Sequence, residues 1–149
     1  MPHPVHAPAR QRGASLIEVL VAVLVMSIGL LGVAAMQAVT LRNTQGAASR
    51  SQAVMHAHTM LDLLRANREA AIIGQYDMGW TCDVPAPAPD SRIVSDAVQW
   101  LGGLQQALGD DSCGRITCRA DSCTVAVRWN DARATGGQDN QELPVSSRL

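Results

Sequence analysis

The chain has 149 residues, 12 of them basic and 13 acidic, and a formal net charge of −1 at pH 7. This length suits one small domain in addition to a membrane segment, and a second domain is not expected. The basic residues are all arginine and form no cluster, so the clustered basic face of a nucleic-acid-binding protein is absent and we expect no nucleic-acid partner.

The first segment, residues 1–13, contains three prolines, two histidines and two arginines but no apolar stretch. A Sec signal peptide contains an apolar region that is removed together with the rest of the signal. Because residues 1–13 have no such region, this segment is not a complete Sec signal. A Sec signal remains an alternative only if the next segment served as the apolar region and cleavage followed Val33-Ala34-Ala35. That alternative would release a secreted binding module stapled by disulfides.

The second segment, residues 16–36, is apolar and contains a single charged residue, Glu18. A helix of about 20 residues reaches across a hydrocarbon core about 30 Å thick, so we predict a membrane span. An ionised carboxylate costs about 2.5–3.5 kcal/mol at the bilayer centre and less near the interface. Glu18 therefore needs a partner for its charge.

The helix is expected to continue beyond the span, because no proline occurs between Pro8 and Pro85. We predict one helix from about residue 15 to residue 67, with a weak point near residues 43–46, where helix propensity is low. Its second half carries an apolar stripe at helical spacing that predicts contact with a soluble domain, at Ala47, Val54, Ala57, Leu61 and Leu64.

A second helix is predicted after an irregular region, residues 70–91, which includes alternating prolines that favour an extended surface segment. Asp90 or Ser91 offers the N-cap, and Gly109 ends the helix. Its apolar face is predicted to consist of Val94, Ala97, Val98, Leu101, Leu104 and Leu108.

In residues 123–129 the side chains of one face alternate with those of the other with a period of two, which predicts a half-buried strand. One face is made of Cys123, Val125, Val127 and Trp129. This strand is expected to pair with residues 116–118 as an antiparallel hairpin. Residues 141–146 add a short edge strand, where Pro144 is tolerated. The predicted fold class is α+β, a long N-terminal helix packed on a small antiparallel sheet. Since the chain has no Phe, we expect the main bulky core residues to be Trp80, Trp100 and Trp129.

The cysteines all follow the predicted span, at Cys82, Cys113, Cys118 and Cys123. By the positive-inside rule the leader arginines, Arg10 and Arg12, hold the N-terminus in the cytoplasm, so the cysteines reach an oxidising periplasm and disulfides are expected. Cys118 and Cys123 flank a turn and can face each other across the hairpin, which leaves Cys82 for Cys113, although four cysteines allow three pairings.

Catalytic and metal-binding patterns are absent from the sequence. It contains no recognisable His, Ser and Asp set, no Gly-rich phosphate loop and no Cys-x-x-Cys spacing for zinc. His56 and His58 are two residues apart and point in nearly opposite directions on a helix, so they cannot share a metal ion. We expect no enzyme activity and no cofactor.

The segment at the start of the span, Gly-Ala-Ser-Leu-Ile-Glu-Val-Leu at residues 13–20, follows a leader that ends in Arg-Gln-Arg. It resembles the processing site of type IV prepilins. The resemblance implies cleavage after Gly13 by the prepilin peptidase, N-methylation of Ala14 and a role for Glu18 in subunit docking. The chain departs from the family's pattern at Ala14, where many members have Phe.

Four further segments, residues 27–32, 60–67, 74–76 and 125–133, resemble the PilV minor pilins, also called type IV pilus modification proteins. This resemblance implies a low-abundance subunit that joins other minor pilins and the major pilin through its N-terminal helix, in a priming complex at the pilus tip. The N-terminal motif alone equally suits a minor pseudopilin of a type II secretion system.

The implied domain organisation has three parts. Residues 1–13 are a prepilin leader, residues 14–40 a transmembrane and assembly helix, and residues 41–149 a periplasmic globular domain that includes the second half of the long helix. The implied location is the inner membrane, with a single span and the C-terminal domain in the periplasm, and then the pilus.

Overall fold

The computed structural model describes Gly13 and residues 15–149. Its helices are α1 (Leu16–Ala66), α2 (Arg68–Ile72) and α3 (Arg92–Leu108), and its strands are β1 (Met78–Thr81), β2 (Cys113–Arg119), β3 (Ser122–Trp129) and β4 (Gln141–Arg148). The strands form one antiparallel sheet in the order β1-β2-β3-β4. The predicted α+β class, with a long N-terminal helix packed on a small antiparallel sheet, is confirmed.

The chain divides into two compact units, the first ending at Ala38 and the second comprising Val39–Leu149. The first unit is the start of α1, whose large apolar side chains are exposed, for example Leu31 at 72%. This helix is long and apolar enough near the N-terminus to cross a membrane. The hydroxyl of Ser27 donates to the carbonyl of Val23 at 2.7 Å, so this polar group is satisfied within the helix.

In the second unit, α1 supplies one wall of the core. Its fully buried residues are Ala53, Ala57, Met60, Leu61 and Leu64. The predicted stripe was wrong at its start, because Ala47 is exposed and Val54 only partly buried. At this level α1 meets the β3–β4 loop instead of the core: a Cβ built on Gly46 would lie 2.6 Å from Cβ of Ala134. Residues 43–46 are helical, so the predicted weak point does not interrupt α1.

Helix α3 begins and ends where the sequence predicted. The hydroxyl of Ser91 accepts a hydrogen bond from the Val94 N–H at 3.4 Å, and Gly109 ends the helix with a φ of 104°. The buried face consists of Asp96, Trp100, Leu101 and Leu104, whereas the valines expected in the core are only partly buried. The core face is rotated because the Trp100 ring packs over Gly114 and its indole N–H donates to the His56 carbonyl at 3.0 Å.

The sheet contains the predicted hairpin, in which Cys118 of β2 is opposite Cys123 of β3 and Ala120 adopts a φ of 52° in the turn. Strand β4 is longer than predicted, and Pro144 lies on it at the sheet edge, opposite Ala126. Strand β1 and helix α2 were not predicted, because segments of 4 and 5 residues carry too little periodicity to detect.

The tryptophans were expected together in the core, and this was wrong for Trp80. Trp100 and Trp129 are buried, but Trp80 is half-buried on the opposite face of the sheet. Tyr76 occupies the core in its place, 3% exposed. Its hydroxyl donates to Oδ2 of the buried Asp96 at 2.7 Å and accepts from Nδ2 of Asn67 at 2.9 Å, which joins the end of α1 to α3.

The contact between Gly114 and α3 predicts a steric limit. A Cβ at Gly114 would overlap the Trp100 ring, so Gly114→Ala should lower the free energy of unfolding by about 1–3 kcal/mol. Gly102 is the matched control, because nothing in the described part of the chain lies within 4 Å of its Cβ position. Gly102→Ala should stabilise the helix by about 0.5–1 kcal/mol. Chemical denaturation of the full-length protein in detergent measures both values, and equal stabilities would contradict the prediction.

The Tyr76 network predicts a specific response to alkaline pH. Burial, and then the bond to the Asp96 carboxylate, raise the pKa of Tyr76 above its usual value, whereas the Asn67 bond opposes this. A raised folded-state pKa means that this stabilisation is complete below about pH 10 and is lost as the pH rises through the folded-state pKa. The chain has one Tyr and no Lys, so Tyr76 is the side chain expected to titrate in this range.

Tyr76→Phe removes the donor to Asp96 and should cost about 1–3 kcal/mol at neutral pH. The variant should also lack the decline in stability that the natural protein shows above about pH 10. Denaturant unfolding of both proteins across this pH range measures the effect. An alkaline decline of the same size in the variant would show that Tyr76 is not its source.

Candidate processing and assembly site

The predicted cleavage site lies just before α1. Gly13 is exposed, and no atom of the other described residues lies within 4 Å of the position that a Cβ would occupy. Helix α1 begins three residues further on, at Leu16, and the carbonyl of the preceding Ser15 accepts from the N–H groups of Glu18 and Val19 at 3.0 and 3.2 Å. The cleavage predicted after Gly13 would therefore fall before the first residue of α1. The leader up to residue 12 and Ala14, the predicted methylation site, lie outside the described residues.

Glu18 occupies the first turn of α1 and is exposed among apolar neighbours. An acidic side chain in this turn is favoured by the positive end of the helix dipole. Within Gly13 and residues 15–149, Glu18 forms no ion pair, since the observed pairs involve other carboxylates. Its carboxylate is thus available to a cationic group from outside this part of the chain, as a docking role requires.

The cysteines form two disulfides with the pairing predicted from the sequence. Cys82 joins Cys113 and Cys118 joins Cys123, each with a Cα–Cα distance of 4.1 Å. The first bond ties the residue after β1 to the start of β2. The second closes the hairpin and lies in the core cluster.

The two histidines predicted to be unable to share a metal ion lie in different environments. His56 is partly buried beside Gly103 of α3, and burial lowers its pKa. His58 is exposed. In the described part of the chain, no group of three or more His, Cys, Asp or Glu side chains is arranged to hold a metal ion.

A cluster of side chains that the sequence did not predict lies on the outer face of the sheet, the face that points away from the core. Here the guanidinium carbons of Arg115 and Arg128 lie 4.7 and 4.6 Å from the centroid of the Trp80 ring. The alternation of β3 assigned Arg128 to the polar face. Trp80 was not assigned to this face because β1 was not predicted.

Comparison with known families agrees with the geometry of the N-terminus. The Prokaryotic N-terminal methylation motif matches residues 8–34, which include Gly13, Glu18 and the first part of α1. No curated protein and no solved structure gives a significant match to the chain. The motif and the fold together support a type IV pilin-like protein, because this motif is typical of the substrates of the prepilin peptidase.

The geometry at Gly13 predicts that substitution there blocks processing without disturbing the fold. Gly13→Val places a branched side chain at the peptide bond to be cut, while the open surroundings leave α1 unchanged. The intact mass of the membrane-extracted natural protein should correspond to loss of residues 1–13, and the variant should retain them. Normal-length mature protein from the variant would contradict the prediction. Loss of about 35 residues from the natural protein would identify Sec cleavage instead.

Proposed function

We propose that this protein is a minor type IV pilin of the PilV family, a subunit that primes pilus assembly at the tip. The observation that carries this proposal is the methylation motif at residues 8–34. It includes the start of a helix that runs unbroken to Ala66 and forms part of a disulfide-bonded α+β domain. Four segments that resemble PilV proteins favour this family. The partners are the prepilin peptidase, the other minor pilins and, through the N-terminal helix, the major pilin.

The proposed topology is a single span in the inner membrane with the domain in the periplasm. The leader arginines favour a cytoplasmic N-terminus. The two disulfides favour an oxidising compartment for residues 82–123, and the periplasm is such a compartment. After cleavage the protein leaves the membrane for the pilus, and the exposed apolar surface of α1 then packs against other subunits.

Glu18 is the proposed docking residue. Cleavage after Gly13 creates a new α-amine on Ala14, which keeps its positive charge after methylation. The corresponding amine of a neighbouring subunit can answer the Glu18 carboxylate in surroundings of low dielectric. Such a pair offsets the desolvation of both groups, and it favours one axial register because a shift of either helix separates the charges.

We propose assembly and not catalysis as the activity of the domain. The buried hydroxyl of Tyr76 and the buried carboxylate of Asp96 have structural partners, in the network that they form with Asn67. The arginines of the sheet contact an aromatic ring or a carboxylate of the same chain. The domain therefore offers a stable surface for other subunits.

The pseudopilin alternative rests on the same motif, because pilins and pseudopilins share it. The Sec-released binding module is disfavoured, because cleavage after Val33-Ala34-Ala35 would cut within α1. Co-purification of the natural protein with pilus subunits, and not with secretion-system subunits, separates the first two alternatives. Absence of all pilus subunits from the purified material would refute the proposed function.

The proposed docking role of Glu18 predicts that removing its side chain impairs association with other subunits but not processing by the peptidase. Glu18→Ala should be inserted and cleaved normally, since the cleavage site is unchanged, but it should crosslink poorly to the other minor pilins in membranes and reduce the number of surface pili. Ser27→Ala is the matched control, because this span residue satisfies its hydroxyl within its own helix. Undiminished association and normal piliation in Glu18→Ala would show that its charge is only tolerated at the membrane interface.

A further inference from the structure

Arg128 contacts the Cys82–Cys113 disulfide on the outer face of the sheet. Its Nη2 atom lies 3.5 Å from Sγ of Cys113 and 3.9 Å from Sγ of Cys82. Glu142 is opposite Arg128 on β4 but makes no ion pair with it, and none of the ion pairs formed in the described residues includes Arg128. A guanidinium charge without a carboxylate partner therefore faces the two sulfur atoms.

The two sulfur atoms differ in access. Cys82 is half-buried in the segment that follows β1, whereas Cys113 is only 3% exposed. An external thiol can approach Cys82 more easily, and Cys113 is the sulfur nearer to Arg128. The two cysteines therefore differ both in their access to an external thiol and in their distance from a positive charge.

The Cys118–Cys123 disulfide provides an internal contrast. Its cysteines are 4% and 0% exposed and belong to the core cluster. The nearest arginine in sequence, Arg119, directs its Nη1 to the Cys118 carbonyl and the Asp77 carboxylate, not to a sulfur atom. The second bond therefore lacks both an accessible sulfur and a cation beside it.

We propose that Cys82–Cys113 is a site of thiol–disulfide exchange with dithiols, in which Cys82 is attacked and Cys113 leaves as a thiolate held by Arg128. Exchange is faster when the leaving thiol is more acidic, and a neighbouring arginine stabilises the thiolate form. The site is selective, because the same dithiol cannot easily reach the core disulfide. This inference goes beyond the proposed pilin function and does not depend on it.

The exchange proceeds in two balanced steps. A thiolate of the dithiol attacks Sγ of Cys82 and forms a mixed disulfide, the Cys82–Cys113 bond breaks, and its electron pair remains on Cys113 beside Arg128. The second thiol of the reagent, as thiolate, then attacks the reagent's first sulfur, which is bonded to Cys82 in the mixed disulfide. This releases Cys82, which takes up a proton. The reagent is oxidised to a disulfide, and the protein disulfide is reduced by two electrons.

The surroundings favour closure of the bond after opening. Nε2 of Gln105 donates to the carbonyl of Cys82 at 2.6 Å, and the β1–β2 pairing holds the preceding strand. The Cys82 backbone therefore has anchors other than the disulfide. The guanidinium of Arg128 is itself held by the Trp80 ring, so the cation stays near Cys113.

The first experiment measures the reduction rate of each disulfide separately. Full-length protein in detergent is exposed to dithiothreitol, quenched by alkylation at intervals and analysed by peptide mass spectrometry. Cys82–Cys113 should open first, and Arg128→Gln should slow its opening about three- to tenfold. Arg115→Gln is the matched control, because it removes the other arginine stacked on Trp80 but no observed contact with sulfur, and it should leave this rate unchanged.

A trapping measurement identifies the attacked sulfur. Brief exposure to glutathione, a monothiol, should leave the mixed disulfide on Cys82. Glutathione found on Cys113, or earlier opening of Cys118–Cys123, would overturn the proposal.

A second variant separates charge stabilisation from loosening of the fold, which Arg128→Gln could also cause. In Cys82→Ser, the Cys113 thiol is free and its thiolate can be titrated by ultraviolet absorbance. Adding Arg128→Gln should move thiolate formation to higher pH, whereas adding Arg115→Gln should not. An unmoved titration with Arg128→Gln would refute the role of Arg128, whatever the reduction rates.

Discussion

The structure depends on one helix that serves two environments. Its first part is apolar on all sides and exposes that surface, whereas its second part buries a narrow stripe of small and large residues, Ala53 and Ala57 followed by Met60, Leu61 and Leu64. No proline or cap interrupts α1 between these parts. A continuous hydrogen-bonded backbone is the structure that satisfies polar groups in lipid, and it also presents a regular face to a soluble core.

Small residues set the distances at which the helices, strands and loops of the domain approach one another. Gly46 admits the β3–β4 loop, Gly103 of α3 lies against the His56 ring, and Gly114 of β2 accepts the Trp100 ring. Trp100 and Trp129 then supply the bulk in a core that contains no Phe. A small domain of this kind buries limited apolar area, and the two disulfides compensate by restricting the unfolded chain.

The two faces of the sheet have different chemistry. The inner face carries the core disulfide and the branched side chains of β2 and β3, and it joins the helices. The outer face carries Trp80, two arginines and the Cys82–Cys113 disulfide. The inner face therefore contributes stability, while the outer face holds the polarisable and charged groups that remain accessible to other molecules.

The sequence by itself determined the features that rest on local patterns: the membrane-length apolar run, the N-terminal motif, the limits of α3 and the β2–β3 hairpin. These depend on composition, periodicity and capping within a few residues. Only the tertiary structure decided which turn of α1 is buried, because that depends on where the sheet and the loop near Ala134 meet the helix. It also placed Trp80 and Arg128 together on the outer face of the sheet, beside the Cys82–Cys113 disulfide. The reason is that β1, a strand of 4 residues, gains its register from its neighbour and not from its own sequence.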